Sequence, residues 1–223
     1  MAHVANADSI FEYIELEYQR KGLHRCRTLH FLGDGANWIW NRAAGLAGPG
    51  QETILTLDYF HADEHLHEAA SAAHNPGSAE RTAWYEKVRE HLREDDHDAF
   101  FLALKTKQET LAAQEADFKE DSPSQVLAQT HRYFDERRHL LNYRKCRERG
   151  LLIGSGMVEG GIRFVGKDRL DRTGMKWNVN GADNILQLRC LDASNRWDQF
   201  FKKHASKRAH DYERRRMAWL QAS

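Results

Sequence analysis

Three carboxylates stand where the chain would present them to a ligand. Asp34 lies between Gly33 and Gly35, straight after an apolar run. Asp58 closes the run ETILTLD, and Glu159 sits in the glycine-rich stretch LLIGSGMVEGG, residues 151–161. Hard carboxylate oxygens suit Mg²⁺ or Mn²⁺. Two such ions can clamp the attacking and leaving oxygens of a phosphodiester during in-line displacement. Asp34 and Asp58 would equally serve as caps of the helices that follow their strands. Spacing alone leaves both readings open.

A second constellation is HADEH, residues 61–65. His61 and His65 share one helix face at a spacing compatible with zinc, and Glu64 completes the H-x-x-E-H pattern of inverted zinc peptidases. The chain holds 13 His, and three fixed positions make a weak pattern in it. A solvated helix start accounts for the same residues. A third group is basic: Arg163, Lys167, Arg169, Arg172 and Lys176, followed by Trp177. Cations in such a row can hold a phosphate backbone in register. Trp177 suits core packing better than base stacking. Gly154-Ser155-Gly156 lacks the Gly-Lys-Ser/Thr ending of a phosphate loop and the G-x-S-x-G setting of a hydrolase nucleophile.

The elements that must position these residues read as α/β at first and helical afterwards. Residues 7–21 form an amphipathic helix, with Ile10, Ile14 and Tyr18 at helical spacing. TLHFLG (28–33) and ETILTLD (52–58) read as strands, joined through a short helix at 37–45 and a break at GPG, 48–50. Strand, helix, strand is a βαβ unit, whose strands run parallel. Both strands then end in an Asp at the carboxyl edge, where α/β proteins place their sites. Residues 62–74, 79–94, 97–119 and 124–149 have helical composition, as do 181–193 and 195–220. The large helical block falls between Asp58 and Glu159.

Composition bounds the rest. The chain has 223 residues, 41% hydrophobic and 30% charged, enough for one domain with a large insertion. Mean hydropathy of -0.76 points to much solvated helix. Cys26, Cys146 and Cys190 are scattered and odd in number. They suggest no disulfide framework, which fits a reducing cytoplasm. No apolar run approaches the roughly 20 residues of a membrane span. The N-terminus lacks the pattern of a signal peptide. Net charge is zero but uneven. Residues 79–120 carry 11 acids against 7 Lys/Arg, and 130–149 carry 7 Lys/Arg against 3 acids. Residues 163–177 carry 5 Lys/Arg against 2 acids, and 202–216 carry 7 against 2. The basic C-terminal half is compatible with a polyanionic partner, and equally with ordinary solvated helix faces.

GDGANWIWN, TLDYFHADEHL, LIGSGMVEGG, RLDRTGMKWNVNGADNILQLR and NRWDQFFK follow one another in this chain. In that order they resemble bacterial insertion-sequence DDE transposases of the Kra type, in the Mutator-like group. The resemblance runs from about residue 8 to about residue 201. It implies an RNase H-like core interrupted by an all-helical insertion, so a chain α/β by ancestry but predominantly helical. The strands near 28–33 and 52–58 would be a partial core. The implied divisions are a partial core over 1–61, a helical insertion over 62–150, returning core helices over 151–201 and a basic helix over 202–223.

By the same resemblance, Asp34 matches the second catalytic Asp and Glu159 the catalytic Glu, both as ligands of Mg²⁺ or Mn²⁺. Asp58 and His61 match the C/D-x-x-H motif, behind the metal ligands or on DNA. Lys167, Arg169, Lys176 and Trp177 match the basic G-M-[RK]-W region that handles DNA, with Arg163 and Arg172 beside it. The implied partner is double-stranded DNA, at element ends and target, with a homo-oligomer possible and no membrane. The first catalytic Asp has no match, since Asp8 precedes a helix. The expectation is a C-terminal portion, inactive alone, that a polypeptide carrying the missing N-terminal part would complement. The alternatives are a catalytically dead DNA-binding remnant and, further off, a zinc peptidase using HADEH.

Overall fold

The computed structural model describes residues 7–115, 122–172 and 174–222. The chain forms two compact units, one over Asn6–Met157 and a second built on Val158–Ser223.

The first unit begins with α1 (Ala7–Arg20), β1 (Thr28–Gly33), α2 (Asn37–Leu46) and β2 (Glu52–Leu57). The strands pair in parallel, in a register running from Thr28↔Glu52 to Gly33↔Leu57. A parallel pair needs a crossover, and α2 supplies it. The register brings the two carboxyl ends level. The Asp58 N–H then donates to the Gly33 carbonyl at 2.7 Å, one step beyond the ladder. Strand β2 is one residue shorter than the sequence suggests, because Asp58 leaves the strand to cap the next helix.

Four helices follow: α3 (Tyr59–Ala73), α4 (Ala79–Arg93), α5 (His97–Ala112) and α6 (Pro123–Glu136). Helix α3 packs on α4 and α6, and α5 packs on α4 and α6. Ala62, Leu66, Ala69, Ala70 and Ala73 line the buried face of α3, and the small residues let its neighbours approach closely. Leu66, Val88, Leu92, Phe100, Leu104, Leu127 and Phe134 are fully buried. Each large side chain contributes about 1.5–3 kcal/mol relative to exposure. Phe100 meets Phe134 edge-on at 5.0 Å. Trp40, Leu57 and Tyr59 belong to the same core, so sheet and helical block share one interior. The expected division at 61/62 therefore falls inside α3.

Local signals set the helix ends. Ser78 caps α4 by accepting from the Arg81 N–H, and Asp96 caps α5 by accepting from the Ala99 N–H. Pro123 opens α6, where a missing N–H costs nothing. The helix expected over 97–119 ends at Ala112, and part of its expected tail lies outside the described residues. The single helix expected over 124–149 is instead three pieces: α6, a 3₁₀ turn over Arg138–Leu140, and α7 (Tyr143–Glu148). Breaking the helix turns Leu140, Leu141 and Tyr143 into the core, where all three are buried.

The second unit contains most of α8 (Gly156–Ile162), a π turn over Arg163–Lys167, α9 (Asp168–Leu170), α10 (Val179–Ala193) and α11 (Trp197–Ala222). Asn178 caps α10 through the Gly181 N–H. Arg189 of α10 holds the π turn by donating to the Val165 carbonyl at 2.8 Å and to the Phe164 carbonyl. Trp197 stacks on Phe201 at 5.7 Å. Helix α11 is exposed along nearly its whole length. Among the described residues, no helix is long and apolar enough to cross a membrane.

Candidate functional site

The carboxyl edge of the strand pair carries the two Asp residues, and they have different fates. Asp34 is exposed just past β1, and its Oδ1 accepts from the Ala36 N–H at 3.2 Å. It does not cap α2, whose cap position is Ala36. Gly35 is buried with φ +93°, and a Cβ there would lie 2.8 Å from Arg137 Nε and 3.0 Å from Leu57 Cδ1. Backbone conformation and space both demand glycine. A Cβ on Gly33 would meet the Trp40 ring at 3.1 Å, so Trp40 packs beneath this turn. Trp38 meets Phe11 of α1 edge-on at 5.9 Å. The two tryptophans are packing residues.

Asp58 is buried and its two oxygens are engaged. Oδ1 accepts from the Phe60 N–H at 2.8 Å, capping α3, and Oδ2 accepts from the Ser155 N–H at 3.0 Å. Beside it the Tyr59 N–H donates to the Ile153 carbonyl at 2.8 Å. A Cβ at Gly154 would come within 2.6 Å of the Phe60 ring, so the glycine is what lets the two segments touch. Of the two readings open for Asp58, the cap is the one observed. It fastens the Ile153-Gly154-Ser155 segment to the end of β2. Glu159 follows four positions later in the chain, exposed, in the first turn of α8.

Two residues that the sequence does not point to, Tyr133 and Arg137, link the His61/His65 pair to the Asp34 turn. His61 and His65 of α3 have ring centroids 5.0 Å apart. The Tyr133 ring of α6 lies 4.0 Å from His65, and the Arg137 guanidinium lies 4.2 Å over Tyr133. The Tyr133 hydroxyl is 3.5 Å from the Asp34 carbonyl, and Arg137 Nε donates to the Gly35 carbonyl at 3.3 Å. Burial pushes the Tyr133 hydroxyl up to about 12, with Arg137 opposing and the Asp34 charge adding to the rise. Burial also holds His65 below the usual imidazole range, helped by its neighbour His61, so the neutral ring is favoured. His61 Nδ1 lies 3.5 Å from Glu64, and His65 Nδ1 lies 3.9 Å from Glu68. Two His supply fewer ligands than zinc requires. Among the described residues no group of three or more His, Cys, Asp or Glu is placed to hold a metal ion.

The basic segment lies in the second unit. Arg163, Lys167 and Arg169 do not share one regular helix, because the π turn intervenes. The Arg163 side chain is 80% exposed and stands 4.0 Å from Asp168. Lys167 and Lys176 are exposed. Arg172 Nε donates to the Asp168 carbonyl at 2.6 Å. The Arg169 guanidinium lies 5.7 Å over the half-buried Trp177 ring. Trp177 thus serves as a packing surface for an arginine.

The model of the uncharacterised protein family (UPF0236) matches residues 6–198. The chain belongs to this family. The UPF0236 match takes in both strands, the helical block, Glu159 and the basic segment. No curated protein and no solved structure matches the chain.

Proposed function

We propose that this chain is the Asp34- and Glu159-bearing part of an insertion-sequence transposase that cleaves and joins DNA strands. One observation carries the reading. Asp34 stands exposed at the carboxyl edge of a parallel strand pair, on a turn that admits only glycine at position 35. That edge is where α/β proteins put their sites. Two facts add support. The Ser155 N–H, in the glycine-rich segment that precedes Glu159 in the chain, donates to Asp58 at the end of the second strand. UPF0236 is typically found in insertion-sequence transposase-like proteins. In this reading the strand pair is part of an RNase H-like sheet, and the helical block is its insertion.

Carboxylates are the donor type that Mg²⁺ or Mn²⁺ takes, and Asp34 and Glu159 would hold the ions. Among the described residues no three-donor group is placed to hold a metal ion, and in this reading a further carboxylate would complete the set. The ion would supply charge stabilisation at the attacked phosphate. The protein's own work is positioning and neutralisation. Asp58 keeps the Ser155 segment on the strand end. Arg163, Lys167, Arg169, Arg172 and Lys176 neutralise backbone phosphates of double-stranded DNA.

The test combines this chain, an added polypeptide that supplies the further carboxylate, and a supercoiled plasmid bearing element ends, in Mg²⁺. Nicking at the ends is expected, and Glu159→Gln should abolish it. Nicking by Glu159→Gln at the normal rate overturns the assignment. A second reading, a binding module without cleavage, draws on the exposed basic residues of the second unit. It predicts DNA binding that survives Asp34→Asn and Glu159→Gln, with no nicking in any mixture.

A further inference from the structure

We infer that Arg137 is a positioning residue for Asp34, and that through it the helical block sets where that carboxylate points. The importance of the position rests on the reading of Asp34 as a reactive acid; the mechanical link does not. The link runs through one peptide group. The Gly35 carbonyl and the Ala36 N–H belong to the same planar unit. Arg137 Nε donates to the carbonyl at 3.3 Å, and the N–H at the other end donates to Asp34 Oδ1 at 3.2 Å. Fixing one end of a rigid plane orients the other.

Arg137 is itself held firmly. It is the C-cap of α6, and its side chain is only 18% exposed. Its NH1 donates to the Tyr133 carbonyl at 3.0 Å, satisfying a last-turn acceptor of that helix. Its guanidinium lies on the Tyr133 ring, which also packs against His65 of α3. The arginine is thereby referenced to two helices of the block. Gly35 completes the fit, because any side chain there would displace Arg137. Lysine could not replace it: one ammonium has no fork with which to reach the Gly35 and Tyr133 carbonyls while lying flat on a ring.

The test is spectroscopic and does not need cleavage. In ¹H–¹⁵N spectra of the whole chain at neutral pH, the Ala36 amide should lie downfield of its position in Asp34→Asn, because a carboxylate is a stronger acceptor than an amide oxygen. Arg137→Ala should reduce that offset at least twofold, with Arg137→Lys between that variant and wild type, while amides of α5 stay in place. The full offset in Arg137→Ala overturns the inference. So does displacement of amides throughout α3 to α6 in both variants, which would mean a general packing role. If Arg137→Ala does not fold, Arg137→Lys is the deciding variant, and the full offset there is equally fatal. Where nicking is measurable, Arg137→Ala should lower its rate at least tenfold with DNA affinity unchanged. A protein that shows the amide effect but never nicks DNA defeats the transposase reading alone.

Discussion

Residues 130–149 and 163–177 are both rich in arginine and lysine, yet the two stretches do different work. In the first, the arginines bind the fold together. Arg147 donates to the Arg93 carbonyl at 3.0 Å and pairs with Glu94. Arg149 makes a two-pronged pair with Glu52, both bonds 2.7 Å long. Asp95 accepts from the backbone N–H groups of Arg144 and Lys145. Glu94 and Asp95 of the acidic stretch 79–120 thus meet the basic stretch 130–149 inside one unit, through the Arg147 side chain and two backbone N–H groups. In the second stretch Arg163, Lys167 and Lys176 point into solvent. Equal charge density in a sequence says little about use. What separates the two stretches is whether acids distant in the chain come to meet the cations.

The sharpest way to break this comparison is to neutralise both stretches in parallel. Changing Arg163, Lys167 and Lys176 together to Gln should leave the thermal midpoint where it is. It should also flatten the dependence of log K on log salt by roughly 2.7, about 0.9 for each phosphate that is no longer neutralised. An unchanged salt slope would remove these residues from the DNA interface. Arg147→Ala should do the reverse. It strips a carbonyl and a carboxylate of their donor, so unfolding in urea should cost about 1–2 kcal/mol less, with DNA affinity intact.

The smallest effect belongs to pH. The Arg149 guanidinium, then the Thr28 hydroxyl, hold Glu52 down to about 2. A carboxylate lowered in the folded state stabilises fully above its unfolded pKa, and that contribution disappears as pH falls through the folded value. The urea midpoint should therefore fall between about pH 4.5 and 2 in part because of Glu52. Glu52→Gln should lack that part of the acid limb. An identical acid limb in the variant would mean the pair contributes nothing in solution.

How much of this is legible in the sequence depends on distance along the chain. Strand β1, α1, α2 and the turn at Asp34 follow from local pattern: an apolar run, flanking glycines and helical spacing. The cap at Asp58 is one of two local readings, and its bond to Ser155, 97 positions away, is not visible. The break after α6 escapes a sequence reading because the helical composition of 124–149 is uninterrupted. Burying Leu140, Leu141 and Tyr143 outweighs the preference for continuous helix. Tyr133 and Arg137 carry no motif at all. They reach the Asp34 turn only because α6 packs against α3, and no periodicity encodes a contact between positions 35 and 137. The basic segment reads as a row of cations, and the π turn at Arg163–Lys167 that spaces them is not visible in it.

We propose Asp34 and Glu159 as working acids rather than surface carboxylates. The most direct measurement is strand nicking of plasmid-borne element ends by the complemented protein in Mg²⁺, with wild type, Asp34→Asn and Glu159→Gln side by side. Wild type should nick, either variant should lose about a thousandfold or more, and DNA binding should be retained in all three. Nicking that persists at the wild-type rate in either variant would contradict the proposal.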